Sequence, residues 1–132
     1  MPVNLPEAAK PILDAPEFAT IATIEPDGRP HLSVVWVARD GDDVLVSTVK
    51  GRRKHRNLER DPRATVLVYL KDDPYRYVEV RGTTTMVDEG GPELIQQLSQ
   101  KYRGLPYTAD EGTGNVRVVV RVTPEKVVVR GG

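Results

Sequence analysis

A mainly β fold, a small barrel of seven strands with short helices, is predicted by this 132-residue sequence. Three observations carry the prediction. Twenty valines and ten threonines stand against one phenylalanine and one tryptophan. Such β-branched side chains lose χ1 freedom in helices and pack well on a pleated surface. Eleven glycines and eleven prolines punctuate the chain at regular intervals. Between them lie seven apolar or alternating runs of strand length.

The elements follow in order. Residues 5 to 15 carry Leu5, Ala8, Ala9, Ile12 and Leu13 on one helical stripe, with Pro11 expected to bend or shorten the helix. Residues 18 to 25 and 30 to 39 read as a hairpin across Pro26-Asp27-Gly28, where Pro presets φ and Gly accepts φ > 0. A turn at Asp40 to Asp43 leads to a third strand, residues 43 to 49. After Gly51 a polar helix runs until Pro62 stops it. Residues 64 to 71 form a continuous apolar run, which predicts a strand buried on both faces. Residues 75 to 87 predict a long strand bent at Gly82. Residues 91 to 103 give an amphipathic helix with Leu94, Ile95, Leu98 and Tyr102 on one face and Gly104 as its stop. Two last strands, VRVVVRVT and KVVVR, complete the chain as one domain over residues 1 to 132. A meander of this kind suggests a closed barrel. So short a chain has few helices to cover two-sided apolar strands, and a second copy is the economical cover; a homodimer is expected.

Composition excludes several functions. The formal charge is zero, 19 basic against 19 acidic residues, so no global field draws in nucleic acid or an anionic membrane. Without cysteine there are no disulfides, thiolate metal sites or cysteine nucleophiles. Only His31 and His55 offer imidazole, too few for a histidine-rich metal site. No apolar stretch approaches the ~20 residues of a membrane span and no signal-like h-region opens the chain, so a cytoplasmic protein is expected. The carboxylates sit scattered in turns, and no nucleophile triad, GxGxxG or Walker loop is present.

Charge supplies the first functional signal. Between Lys50 and Arg63 lie seven cations and two carboxylates, a local net of +5. A solvated face and a nucleic-acid patch are two readings of such a run. Helix geometry adds a third. Leu58 is the only strong apolar residue of this helix, so its face points inward. Lys54 lies four residues earlier on that face, flanked by Arg53 and Asn57, while His55 falls outward. A strand ending in Ser47-Thr48 delivers hydroxyls to the same helix N-terminus. Hydroxyls, backbone N–H groups, helix dipole and cations together describe an anion pocket, and a phosphate fits it.

The segments ATIATIEPDGRPHLSVVWV, VSTVKGRRKHRNLERDPRATVLV and YRYVEVRGTTTMV resemble the split β-barrel, FMN-binding oxidoreductases related to pyridoxamine 5′-phosphate oxidase. The branch resembled is the actinobacterial one that uses coenzyme F420. The resemblance implies a homodimer with the cofactor in a groove between subunits. It implies that Ser47, Thr48, Arg53 and Lys54 hold the cofactor phosphate. Ser33, Val34, Val35, Trp36 and Val37 would supply backbone contacts to the ring, and Tyr75, Arg76 and Tyr77 would approach from the partner. The oxidase's C-terminal substrate segment has no counterpart before Gly132, and Leu32 to Val37 lacks its usual Arg and Lys, so oxidation of pyridoxine phosphate is not expected. The extra cations Lys50, Arg52 and Arg56 suit a longer anionic tail, as in F420, where FMN offers one phosphate.

Several residues carry two readings. Trp36 either stacks on a cofactor ring or fills the core. Tyr75 and Tyr77 share a strand face and either line the substrate mouth or pack an interface. Arg117 and Arg121, also on one face, reach a partner's anion or sit in solvent. His31 is expected to be an exposed hairpin residue. The function expected is an F420-dependent reductase that passes a hydride to an electron-poor small molecule. An FMN-binding oxidoreductase of the same fold and a non-enzymatic cofactor carrier are the alternatives.

Overall fold

In a computed structural model describing residues 1–131, three helices and seven strands follow the chain. They are α1 (Ala9–Asp14), β1 (Ala19–Ile24), β2 (Pro30–Val35), β3 (Val37–Asp40), β4 (Asp43–Val49), α2 (Arg53–Arg60), β5 (Arg63–Leu70), β6 (Asp73–Val87), α3 (Gly91–Arg103) and β7 (Arg117–Arg130). All strands join one antiparallel sheet in the order β2-β1-β5-β6-β7-β4-β3. The two edge strands are consecutive in the chain, with only Trp36 between them. The sheet therefore curls so that its edges meet at one residue. Its inner face buries Ile21, Val44, Val46, Val66, Val68, Val78, Val80, Val120 and Val122 completely, with Ile12, Leu13 and Leu58 added from α1 and α2. A smaller cluster of Ala38, Leu94, Leu98 and Val119 seats α3 on the outer side, against Trp36 and Tyr102.

The expected strand over 30 to 39 is divided, and the barrel is split rather than closed by a ladder. The first half pairs with β1 and the second with β4. The cause lies in α3. Tyr102 Oη accepts the Val37 N–H at 3.1 Å and donates to the Glu17 carbonyl at 2.7 Å. Lys101 Nζ donates to the carbonyls of Val37 (2.6 Å) and Leu13 (2.7 Å). Backbone groups that leave the ladder at the break thus keep partners, as buried backbone must.

Three further expectations change. The last two strands are one, because Pro124 and Glu125 form a bulge where β7 passes Gly82; the register steps from Arg81↔Lys126 to Gly82↔Pro124. A Cβ on Gly82 would stand 2.2 Å from the Thr123 carbonyl oxygen, so the predicted bend requires glycine by close approach. β5 alternates instead of being buried on both faces: Leu67 and Tyr69 point outward, 37% and 46% exposed. The first helix shrinks to Ala9–Asp14, which leaves Pro11 in its first turn, where a missing N–H costs no hydrogen bond. Leu5 stays buried outside that helix, its N–H given to Asp42.

Candidate functional site

The break between β2 and β3 opens a cleft of about 250 Å³ against the end of β4 and the start of α2. Phe18, Val34, Val35, Trp36, Ile95 and Leu98 form its apolar wall. Ser47, Thr48, Arg52, Lys54, Tyr107 and Arg117 supply the polar side. Trp36 is held by stacking on Tyr102 (centroids 5.4 Å apart) and by the edge of Tyr107 at 6.3 Å. It serves the wall and the outer core at once.

The anion corner is built by the β4–α2 connection. Gly51 takes φ +91° there, so the chain can turn sharply from Val49 into the helix. Leu58 is buried as its spacing predicts, and Lys54 turns inward on the same side. The ammonium of Lys54 donates to Ser33 Oγ at 2.8 Å. Burial first, and the nearby Arg52 charge second, hold its pKa below the ordinary lysine value. No carboxylate pairs with Lys54 among the described residues. The Thr48 hydroxyl is buried, with the residue 2% exposed, and has no partner. α2 begins without a side-chain cap. An orphan hydroxyl, an unpaired cation and free helix N–H groups fit the oxygens of a phosphate.

His55 does not face outward. It is buried, and its Nδ1 accepts the Gly51 N–H at 3.1 Å, folding the imidazole back over the connection that forms the corner. His31 is likewise half-buried, with an unpartnered Nδ1, rather than exposed.

The other sequence-predicted residues divide. Ser33 joins the corner through Lys54, and Val34, Val35 and Trp36 line the cleft. Val37 is buried, and both its backbone groups are engaged by Lys101 and Tyr102. Arg53 pairs with Glu25 at 2.7 Å, and Asn57 donates to Thr23 Oγ1 at 3.1 Å. Both line a separate groove of about 610 Å³ with Arg29, Arg56 and Arg60. Lys50 pairs with Asp88 at 2.9 Å. Tyr75, Arg76 and Tyr77 open β6 outside the cleft, with Tyr75 fully in the open.

Tyr107 and Phe18 line the cleft without having been singled out in the sequence, and Arg117, expected to reach a partner's anion or sit in solvent, lines it too. Arg117 is 8% exposed and pairs with Asp110, Nε to Oδ2 at 2.8 Å. Its strand-mate Arg121 pairs with Asp40 and Asp43, each at 2.9 Å, so neither arginine is a free surface charge. The available signal was Tyr107 and Asp110, which precede Arg117 in the loop.

A split barrel with an anion corner beside an apolar, tryptophan-lined wall is the arrangement the fold presents. The chain belongs to the pyridoxamine 5′-phosphate oxidase family, whose profile matches residues 5–130. Among solved structures it is similar to an F420 reductase, with 30% identity, 94% of this chain and 98% of that one covered, and a TM-score of 0.83. A conserved hypothetical protein from Mycobacterium tuberculosis is 29% identical over 96% of this chain and 84% of its own, with a TM-score of 0.74. A pyridoxamine 5′-phosphate oxidase-related, FMN binding protein from Nostoc punctiforme shares the fold at 16% identity, TM-score 0.62, covering 85% and 72% of the two chains. Family and neighbours together support a flavin-type oxidoreductase. No helix among the described residues is long and apolar enough to cross a membrane.

Proposed function

We propose that this protein is an F420-dependent reductase acting on an electron-poor small molecule. The observation that carries the reading is the buried, unpartnered Thr48 hydroxyl beside Lys54, a cation without a carboxylate. The 30% identity to an F420 reductase across 94% of the chain supports the choice of cofactor. Thr48, Lys54 and Ser47 would hold the phosphate, while Val34, Val35 and Trp36 exclude water from the ring. When bound in reduced form, F420 supplies a hydride, and the protein's work is to bind, orient and keep the site dry. Arg52 and Arg56, unpaired with any carboxylate among the described residues, remain for an acidic tail. The functional unit in this reading is a homodimer, with Tyr75, Arg76 and Tyr77 reaching the partner's cleft. Leu32, Val34, Leu67 and Tyr69 leave an exposed apolar outer face on β2 and β5, the two strands that flank β1, that a second copy would cover.

FMN in the same cleft is the second reading. It is favoured by the pairing of Lys50 with Asp88 and of Arg53 with Glu25, which lowers the charge available to a tail. Fluorescence titrations with F420 and FMN, at low and high salt, separate the two. Tighter F420 binding that weakens with salt, and that the Arg52→Ala/Arg56→Ala double variant reduces while FMN affinity holds, is the expected result. Tighter FMN binding, or equal losses for both, rejects the deazaflavin.

A further inference from the structure

The polar side of the cleft carries more hydrogen-bond donors than a phosphate corner needs. Arg117 Nη2 donates to Tyr107 Oη at 2.7 Å, and its Nε is given to Asp110. Its Nη1 finds only Ser47 Oγ at 3.5 Å, beyond the normal range for such a bond. Tyr107 oxygen is thus an acceptor for Arg117, and its own proton has no acceptor among the described residues. Tyr102 is different, since its hydroxyl both accepts from Val37 and donates to Glu17. Tyr107 is the phenol of the cleft with a proton left to give.

Its position is fixed from several sides. Gln96 clamps the Tyr107 backbone, donating to its carbonyl at 2.8 Å and accepting its N–H at 3.0 Å. The Arg117 guanidinium also lies over the ring, 5.0 Å from its centroid, and Trp36 meets it edge-on. A donor held this way requires little reordering on binding.

Charge decides what the donors would accept. Asp110 lies against Arg117, so the couple is neutral, and a second anion would face that carboxylate. Directional donors without net charge suit a carbonyl oxygen. We infer that Tyr107 and Arg117 form a carbonyl anchor, which takes a ring carbonyl of the flavin or deazaflavin whose phosphate sits at Ser47, Thr48 and Lys54. The inference rests on the cofactor reading above.

The test uses Tyr107→Phe in the full chain, which removes the phenol's donor and keeps the ring. Binding of F420 and of FMN is titrated by fluorescence, inorganic phosphate is used as a competitor, and melting is followed without ligand. The expected result is a loss of roughly three- to tenfold in affinity for whichever cofactor the wild type binds. Competition by inorganic phosphate should be unchanged, whereas Lys54→Ala should weaken both. Unaltered cofactor affinity in Tyr107→Phe overturns the anchor and leaves the cofactor reading standing. Equal losses for cofactor and phosphate also overturn it, since they mark a cleft that has merely lost its shape. A wild type that binds neither cofactor overturns the reading and the anchor together.

Discussion

Lys54 and His55 are neighbours on α2, and the structure gives them opposite surroundings, the cleft for one and the β4–α2 connection for the other. In the free protein the Lys54 charge is partly desolvated and has one neutral partner, Ser33 Oγ. Lys54→Ala therefore gives up a hydrogen bond worth about 1 kcal/mol but also relieves the cost of burying an unpaired charge, so the two largely offset. In the complex the same change removes a charge-assisted contact to phosphate worth ~1.5–3 kcal/mol, or roughly ten- to 150-fold in affinity. His55→Ala should behave the other way. It leaves the Gly51 N–H in the connection without its acceptor, a cost of about 1–3 kcal/mol in stability. Any affinity it loses should follow from that loosened connection and be smaller than the loss in Lys54→Ala. The assay is a cofactor titration paired with urea unfolding of both variants. A Lys54→Ala protein that loses less than about threefold in affinity, or as much stability as His55→Ala, would refute the assignment of charge to binding and imidazole to folding.

Two other outcomes are expected. Burial lowers the pKa of Lys101 to about 8 from 10.5, so between those values the unfolded chain holds a proton that the folded one has released, and stability should rise with pH. Below about 8 the burial penalty is present in full; urea unfolding of the wild type should show the rise and Lys101→Met should lack it. The window is read below pH 10.0, because burial pushes Tyr102 up from that value and works in the opposite direction above it. Light scattering should report about twice the chain mass, and Leu67→Glu, on the exposed face of β5, should halve it; a wild-type monomer that still binds cofactor would remove the shared-cleft arrangement.

The strands were legible because alternation of valine and threonine records one buried face at a time. What sequence could not show was set by residues far along the chain. Trp36 sits inside an unbroken β pattern, and the break there is made by Lys101 and Tyr102, some sixty residues later. Pro124 reads as a strand stop, yet a bulge opposite Gly82 accommodates it, so two strands become one. At the site, the spacing of Lys54 and Leu58 was enough to turn the lysine inward, because a single apolar residue orients a polar helix. The same helical wheel misplaced His55, since it ignores a side chain that bends back to bond with the preceding turn. The place of Arg117 in the cleft, neither of the two readings given to it, was hidden for a different reason: its surroundings depend on the loop that carries Tyr107 and Asp110.

The basic stretch around α2 also changes its meaning once partners are known. Of its seven cations, Lys50, Arg53 and Arg63 are matched by Asp88, Glu25 and Asp61, and Arg60 bonds to the Ile24 carbonyl and to Asn57. Arg52, Lys54 and Arg56 are left without carboxylates among the described residues. Matched pairs at a surface contribute little binding force, because solvent and salt already screen them. The attraction for an anion therefore comes from the unmatched three, and two of these, Arg52 and Lys54, line the cleft where the orphan Thr48 hydroxyl lies. Carboxylates at the ends of β1, β6 and α2 thus concentrate a diffuse basic run into one corner, and that corner opens where the sheet divides at Trp36. Fold and site have one origin here: the break that α3 stabilises in the strand is also the opening of the cleft onto the start of α2, where the proposed cofactor would enter.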